Sequence, residues 1–137
     1  MVDFSIHQVL KAMGEPTRIR LLNLLRLGDI CVCDLQAVLR ISQSNVSRHL
    51  AALRHVGLVN CTRKGLRIIY SLAPASTPQM SALRDLLHRC CPLEPLLQQD
   101  IVRFRQAVAK GECRLESGSA SAAESAVGAP EVEGNPA

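Results

Sequence analysis

The segment that most constrains this chain is Ser42-Gln43-Ser44-Asn45-Val46-Ser47-Arg48-His49-Leu50-Ala51-Ala52-Leu53. Val46, Leu50 and Leu53 recur at helical spacing and make one narrow apolar stripe. Turning about 100° per residue from Val46 puts Ser44, Ser47 and Arg48 on the opposite side. Such a helix packs along one edge and offers a polar face outward. A break at Ile41-Ser42 precedes it, Ser42 or Ser44 can cap its first amides, and Gly57 ends it. Two short strands are expected directly downstream, over 58–62 and 67–72. Arg63-Lys64-Gly65-Leu66 joins them, with Gly65 free to take a positive φ.

The preceding helix is expected over about 32–40, with Leu35, Val38 and Leu39 turned inward. Helix, short turn, polar helix and basic hairpin is the order of a winged helix-turn-helix, whose second helix enters the DNA major groove. Arg48 then has the chemistry for a bidentate contact to guanine, and Ser44 and Ser47 can donate or accept at base edges. Gln43 and Asn45 stand at the first turn, nearest the groove floor. His49 falls at the edge of the apolar stripe, fit either for packing or for a phosphate. Arg63, Lys64 and Arg67 of the hairpin can straddle the adjacent backbone. The competing reading of the polar face is ordinary solvation; the basic hairpin beside it favours DNA.

Around this motif the pattern is helical. Ile6, Val9, Leu10 and Met13 form a first helix closed by Gly14, and Pro16 opens a second that Gly28 ends. After Pro78, Met80, Leu83, Leu86, Leu87 and Cys90 share a face. Pro92 and Pro95 interrupt, and Leu97, Ile101, Phe104 and Val108 carry the pattern to about Lys110. Beyond Arg114 the chain is rich in Ser, Ala, Gly and Glu with no apolar period. The expected fold class is mainly α with a small β-hairpin, in one domain over residues 1–112, followed by a disordered tail over 113–137.

Charge agrees with a polyanionic partner. Residues 1–113 hold 15 basic and 8 acidic side chains, a net +7, while Arg114 onward is net −3. Phosphates neutralised by such a surface release counterions. With only Phe4, Tyr70 and Phe104 as aromatic rings, base stacking on a single strand is a poor fit, so double-stranded DNA is the expected partner. Met1–Lys11 lacks the apolar run of a secretory leader. No stretch approaches the roughly 20 apolar residues that span a bilayer. A cytoplasmic location with no membrane partner is therefore expected, where the six cysteines are reduced thiols.

Ile30-Cys31-Val32-Cys33-Asp34-Leu35 starts the first helix of the reading motif. Paired thiolates select soft acceptors such as trivalent arsenic or antimony, cadmium, lead or copper(I). A helix N-terminus eases thiol ionisation, so both cysteines are expected to deprotonate readily. Residues i and i+2 do not face each other on a regular helix, so joint ligation requires the first turn to distort. The neighbouring recognition helix would then shift. Cys61 lies in a strand and reads as structural, and Cys90 reads as packed on its helix. Cys91, next to Pro92, has less need of burial, and Cys113 borders the tail. No anion-binding glycine loop and no Cys-x-x-Cys pair suggest an enzyme.

The run Ser42–Leu53 with Gly57-Leu58-Val59 resembles the recognition segment of the ArsR/SmtB family, and Glu15-Pro16-Thr17-Arg18-Ile19-Arg20-Leu21-Leu22 is similar to that family's second-helix signature. The resemblance covers about residues 5–110. It implies a homodimeric repressor, paired through the apolar faces of 6–13 and 80–104. Two recognition helices would then meet an imperfect palindrome in major grooves about 34 Å apart. Cys-Val-Cys-Asp-Leu resembles the arsenic-responsive branch, which implies trivalent arsenic or antimony as inducer and no organic cofactor. In that branch a third cysteine commonly stands where this chain has Gln36. Cys91, Cys90 and Cys113 are the candidates to replace it. A cadmium or lead sensor, or a thiol sensor of oxidants, is the alternative on the same scaffold. A zinc-type site of the family would need more than Asp85, His88 and Asp100 offer.

Overall fold

The computed structural model describes residues 5–116. Helix α1 (Ile6–Met13) begins where Ser5 Oγ accepts the Gln8 N–H at 3.4 Å, and α2 (Pro16–Leu25) where Glu15 Oε1 accepts the Arg18 N–H at 3.1 Å. Leu21, Leu22, Leu24 and Leu25 of α2 are all buried. The helix is apolar around most of its girth, and it runs through the centre of the molecule. Strand β1 (Asp29–Cys31) leads directly into α3 (Val32–Leu39), and α4 (Gln43–His55) follows after a short turn. The hairpin strands are β2 (Val59–Lys64) and β3 (Arg67–Leu72). Helix α5 (Pro78–Cys90), a 3-10 turn at Cys91–Leu93 and α6 (Pro95–Ala109) complete the helices, and β4 (Leu115–Glu116) comes last.

The helices and the basic hairpin fall where the sequence pattern puts them. The sheet is larger than that pattern shows. It has four antiparallel strands in the order β2-β3-β1-β4, with Ile30 opposite both Tyr70 and Leu115. Strands of three and two residues are too short to display an alternation, and they exist because neighbouring strands supply their hydrogen bonds. Gly28 makes the junction possible. Its φ is +148°, a conformation that side-chain-bearing residues rarely adopt, and a Cβ there would lie 3.0 Å from Leu115 Cδ2 and push that side chain aside.

This strand also moves the edge of the folded region. Residues 113–116, expected in the tail, belong to the fold: Cys113 is buried, and Leu115 and Glu116 pair with β1. The remainder of the expected tail, 117–137, lies outside the described residues.

Distant polar contacts lock α2 to α6. Asp100, fully buried, accepts two bonds from Arg20 at 2.8 and 2.9 Å and a third from Arg103 at 3.4 Å. Buried Asn23 donates to the Leu97 carbonyl at 2.9 Å and accepts from Arg26 at 3.0 Å. A buried carboxylate is tolerable only when paired and hydrogen-bonded in this way. Asp100 is thus a structural ion-pair partner. Asp85 likewise pairs with Arg89 at 3.0 Å.

Candidate DNA-reading face and thiol site

Helix α4 presents its polar side outward. Gln43, Ser44, Asn45, Ser47 and Arg48 are exposed, while Val46, Leu50 and Leu53 are buried. Ser42 caps the helix by accepting the Asn45 N–H at 3.2 Å, which fixes the turn from α3. Arg48 Nη2 donates to Asn45 Oδ1 at 2.8 Å, so two of the expected base-reading side chains hold each other in one orientation. Arg63 and Lys64 stand exposed on the hairpin, whose turn uses Gly65 at φ +64°.

Two expected contact residues are engaged elsewhere. His49 is buried, and its Nδ1 accepts from Arg18 Nε at 3.1 Å. Its role is to hold α4 against α2, and burial outweighs the nearby Glu15 carboxylate in keeping its pKa below the ordinary histidine value. The stripe of α4 is therefore one residue wider than Val46, Leu50 and Leu53. Arg67 is paired with Glu116, and its Nε is buried without a partner among the described residues. Its charge links β3 to β4 across β1; Glu116 was invisible as its partner because the two are 49 residues apart.

The thiols sit at the seam of β1 and α3. Cys31 ends the strand, is fully buried, and caps the helix: its Sγ accepts the Cys33 N–H at 3.3 Å. Cys33 is exposed. The expectation of easy ionisation fails for Cys33. A hydrogen bond with the Cys31 thiol holds its pKa above the ordinary cysteine value, and the Cys31 and Asp34 charges and burial add to this against Arg67. A proton shared between two sulfurs outweighs the helix N-terminus.

The other cysteines are distributed differently from the pattern. Cys90 is exposed and Cys91 buried, the reverse of expectation, because the 3-10 turn after α5 rotates Cys91 inward. Burial pushes the Cys91 thiol up. Both line an open apolar groove of about 490 Å³ together with Met13, Ile19, Leu87 and Leu97. Cys61 faces Tyr70 across β2 and β3 and shares a hydrogen bond with it, in keeping with a structural role. Cys113 lies beside the α3 terminus. Burial first, then the charge of Asp34 and a hydrogen bond with it, push its thiol up to about 11. The Arg114 N–H donates to the same Asp34 carboxylate at 3.1 Å. Among the described residues no three His, Cys, Asp or Glu side chains stand close enough to hold an ion as they are. No helix among them is long and apolar enough to cross a membrane.

An exposed polar helix presented by a capped turn, with a basic hairpin beside it, defines a winged helix-turn-helix DNA-binding protein. Residues 15–60 match the model of the bacterial regulatory protein, arsR family. The chain is 38% identical over 84 residues to the arsenical resistance operon repressor of Escherichia coli K12, covering 61% of this chain and 72% of that one. It is 43% identical over 67 residues to the arsenic resistance transcriptional regulator ArsR1 of Pseudomonas putida KT2440, covering 48% of this chain and 52% of that one. The match thus spans about half the length of that relative. Among solved structures, the homodimeric winged helix-turn-helix domain Mb0332 of Mycobacterium bovis superposes with a TM-score of 0.53 at 28% identity, over 61% of this chain and 74% of that one. The chain belongs to the ArsR family, and is a DNA-binding transcriptional regulator rather than an enzyme.

Proposed function

We propose that this regulator is a homodimeric repressor of a metalloid-resistance operon, released from operator DNA when trivalent arsenic or antimony binds Cys31 and Cys33. One observation carries the reading. Cys31 Sγ is the N-terminal cap of α3, accepting the Cys33 N–H at 3.3 Å. A sulfur bonded to a metalloid keeps lone pairs, but the As–S bonds now fix where it sits, so ligation that draws Sγ away from that amide removes the cap. Drawing Cys33 to the same ion distorts the first turn as well, since positions i and i+2 diverge on a regular helix. Helix α3 packs directly on α4, so the distortion reaches the reading face. The ligand shifts the equilibrium by its preference for the distorted form, and DNA by its preference for the regular one.

Dimerisation is supported by unpartnered apolar side chains on the expected elements. Ile6 and Leu10 of α1 and Leu86 of α5 are exposed, and Leu86 also lines the apolar groove. A second copy burying these faces would carry a second α4 to the next major groove, which calls for an imperfect palindrome. The two relatives described above carry arsenic or arsenical resistance in their names, which favours trivalent arsenic over cadmium or lead. The raised Cys33 thiol weighs against an oxidant sensor, because the thiolate is the form that peroxide attacks.

The test is a fluorescence anisotropy titration of operator-bound protein with arsenite, trivalent antimony, cadmium and zinc, without oxidant. Arsenite and antimony are expected to release the DNA, and the Cys31→Ser/Cys33→Ser double variant is expected to stay bound. Release of that variant at wild-type arsenite concentrations would overturn the reading, and release by cadmium alone would replace the ligand.

A further inference from the structure

We propose that Cys113 is the third sulfur of the metalloid site, brought to Cys31 and Cys33 of its own chain by the pairing of β4 with β1. The proposal rests on the reading of Cys31 and Cys33 as the metalloid ligands. Its ground is the sheet register. Asp29 lies opposite Glu116 and Ile30 opposite Leu115. Beyond Ile30 the chain turns into α3, and the residues just before Leu115 run beside its first turn, where the Arg114 N–H meets Asp34. Asp34 then ties the two segments together: it accepts the Arg114 N–H at 3.1 Å, one residue from the buried Cys113.

The other two candidates are excluded within one chain by the length of α6. Cys91 precedes its first residue and Cys113 follows its last. A helix of 15 residues separates its ends by roughly 22 Å. With Cys113 beside the α3 terminus, Cys90 and Cys91 are about that far from it, at the apolar groove. Only a partner subunit could bring them closer.

Trivalent arsenic in water is the trihydroxide, and it prefers soft sulfur donors. Ligation exchanges three As–O bonds for three As–S bonds. Each thiol proton leaves with a hydroxide as water, so three waters form and no atom changes oxidation state. High thiol pKa values do not block this exchange, because the proton and hydroxide depart together. The sulfurs are not yet converged, so ligation pulls Cys113 off Asp34 toward Cys31 and Cys33. That movement carries the start of β4, and through Glu116 the Arg67 beside the turn of the hairpin. The third sulfur thus joins the ligand to the wing as well as to α3.

The test uses the full-length protein, arsenite, and a phosphine reductant in place of any small thiol. X-ray absorption at the arsenic edge counts sulfur neighbours, and the ultraviolet sulfur-to-arsenic band follows the titration. Wild type is expected to show three sulfurs. Cys113→Ser and Cys113→Ala are each expected to show two, with affinity weaker by at least about tenfold, the smaller loss seen when even an outer-sphere metal partner is removed. Cys90→Ser/Cys91→Ser is expected to keep three. Unchanged far-ultraviolet circular dichroism and unchanged operator affinity without arsenite identify a Cys113 variant that has kept its fold. Three sulfurs in both Cys113 variants, two sulfurs in wild type, or loss of one sulfur in Cys90→Ser/Cys91→Ser would each overturn the proposal. Wild-type binding by Cys31→Ser/Cys33→Ser would instead overturn the reading on which it rests.

Discussion

The exposed face of α4 and the thiols at the start of α3 are neighbours with opposite organisation. The reading face is complete as it stands: its side chains come from one continuous turn and a half of helix, are wet, and hold each other through local bonds such as Arg48 to Asn45. The proposed thiol site is unfinished. Cys31 is buried and engaged as a cap, Cys33 is exposed, and Cys113 arrives from 80 positions downstream, next to the Arg114 whose N–H is held by Asp34. A face that must match a rigid duplex profits from being preformed. A sensor must change shape when its ligand arrives, so it needs contacts that ligation can displace. The cap and the Asp34 contacts are such contacts.

The comparison can be broken at several points. Leu50 is fully buried under the reading face, and Leu50→Ala is expected to lower unfolding free energy by about 2–5 kcal/mol in chemical denaturation. A loss under 1 kcal/mol would mean that α4 is not held rigidly. Next in size, Arg48→Ala is expected to lose about 1–3 kcal/mol of operator preference. Lys64→Ala should instead weaken all DNA alike and reduce the salt slope by about 1. Equal loss of specificity in both would erase the distinction between the helix and the wing.

Smaller effects probe the seam and the anchor. Gly28→Ala forces a side chain onto Leu115 at a positive φ, a strain of roughly 1–2 kcal/mol. It is expected to raise hydrogen exchange at Leu115 and Glu116 while leaving operator affinity intact. His49 should give the smallest effect. Its folded pKa lies below the ordinary value, so the unfolded chain binds the proton more readily. Its contribution is complete above about pH 6.5 and declines as pH falls from there toward the folded value. A His49→Gln variant should lose that part of the acid sensitivity; an unchanged pH profile would show that another group causes it.

The same contrast explains what was legible in the sequence. Every element that carries its own period or its own cap, from the Ser42-capped α4 to the Pro16-led α2, was readable from its residues. Contacts between distant segments were not readable. Strand β4 is two residues long and is ordered by β1, so a composition-based boundary at 112 cut it off. Arg67 looked like a phosphate contact because Glu116 is remote in sequence, and His49 could be read as packing or as a phosphate contact because Arg18, which holds it, comes from another helix. The Cys33 thiol departs from the helix-terminus rule because its neighbour is a second thiol.

Amide hydrogen exchange at the first turn of α3, with and without arsenite, tests the central claim most directly. The account predicts that saturating arsenite removes protection from the Cys33 N–H, now held by Cys31 Sγ, and that Cys31→Ser/Cys33→Ser shows no such response. Operator release with that amide still fully protected would contradict it.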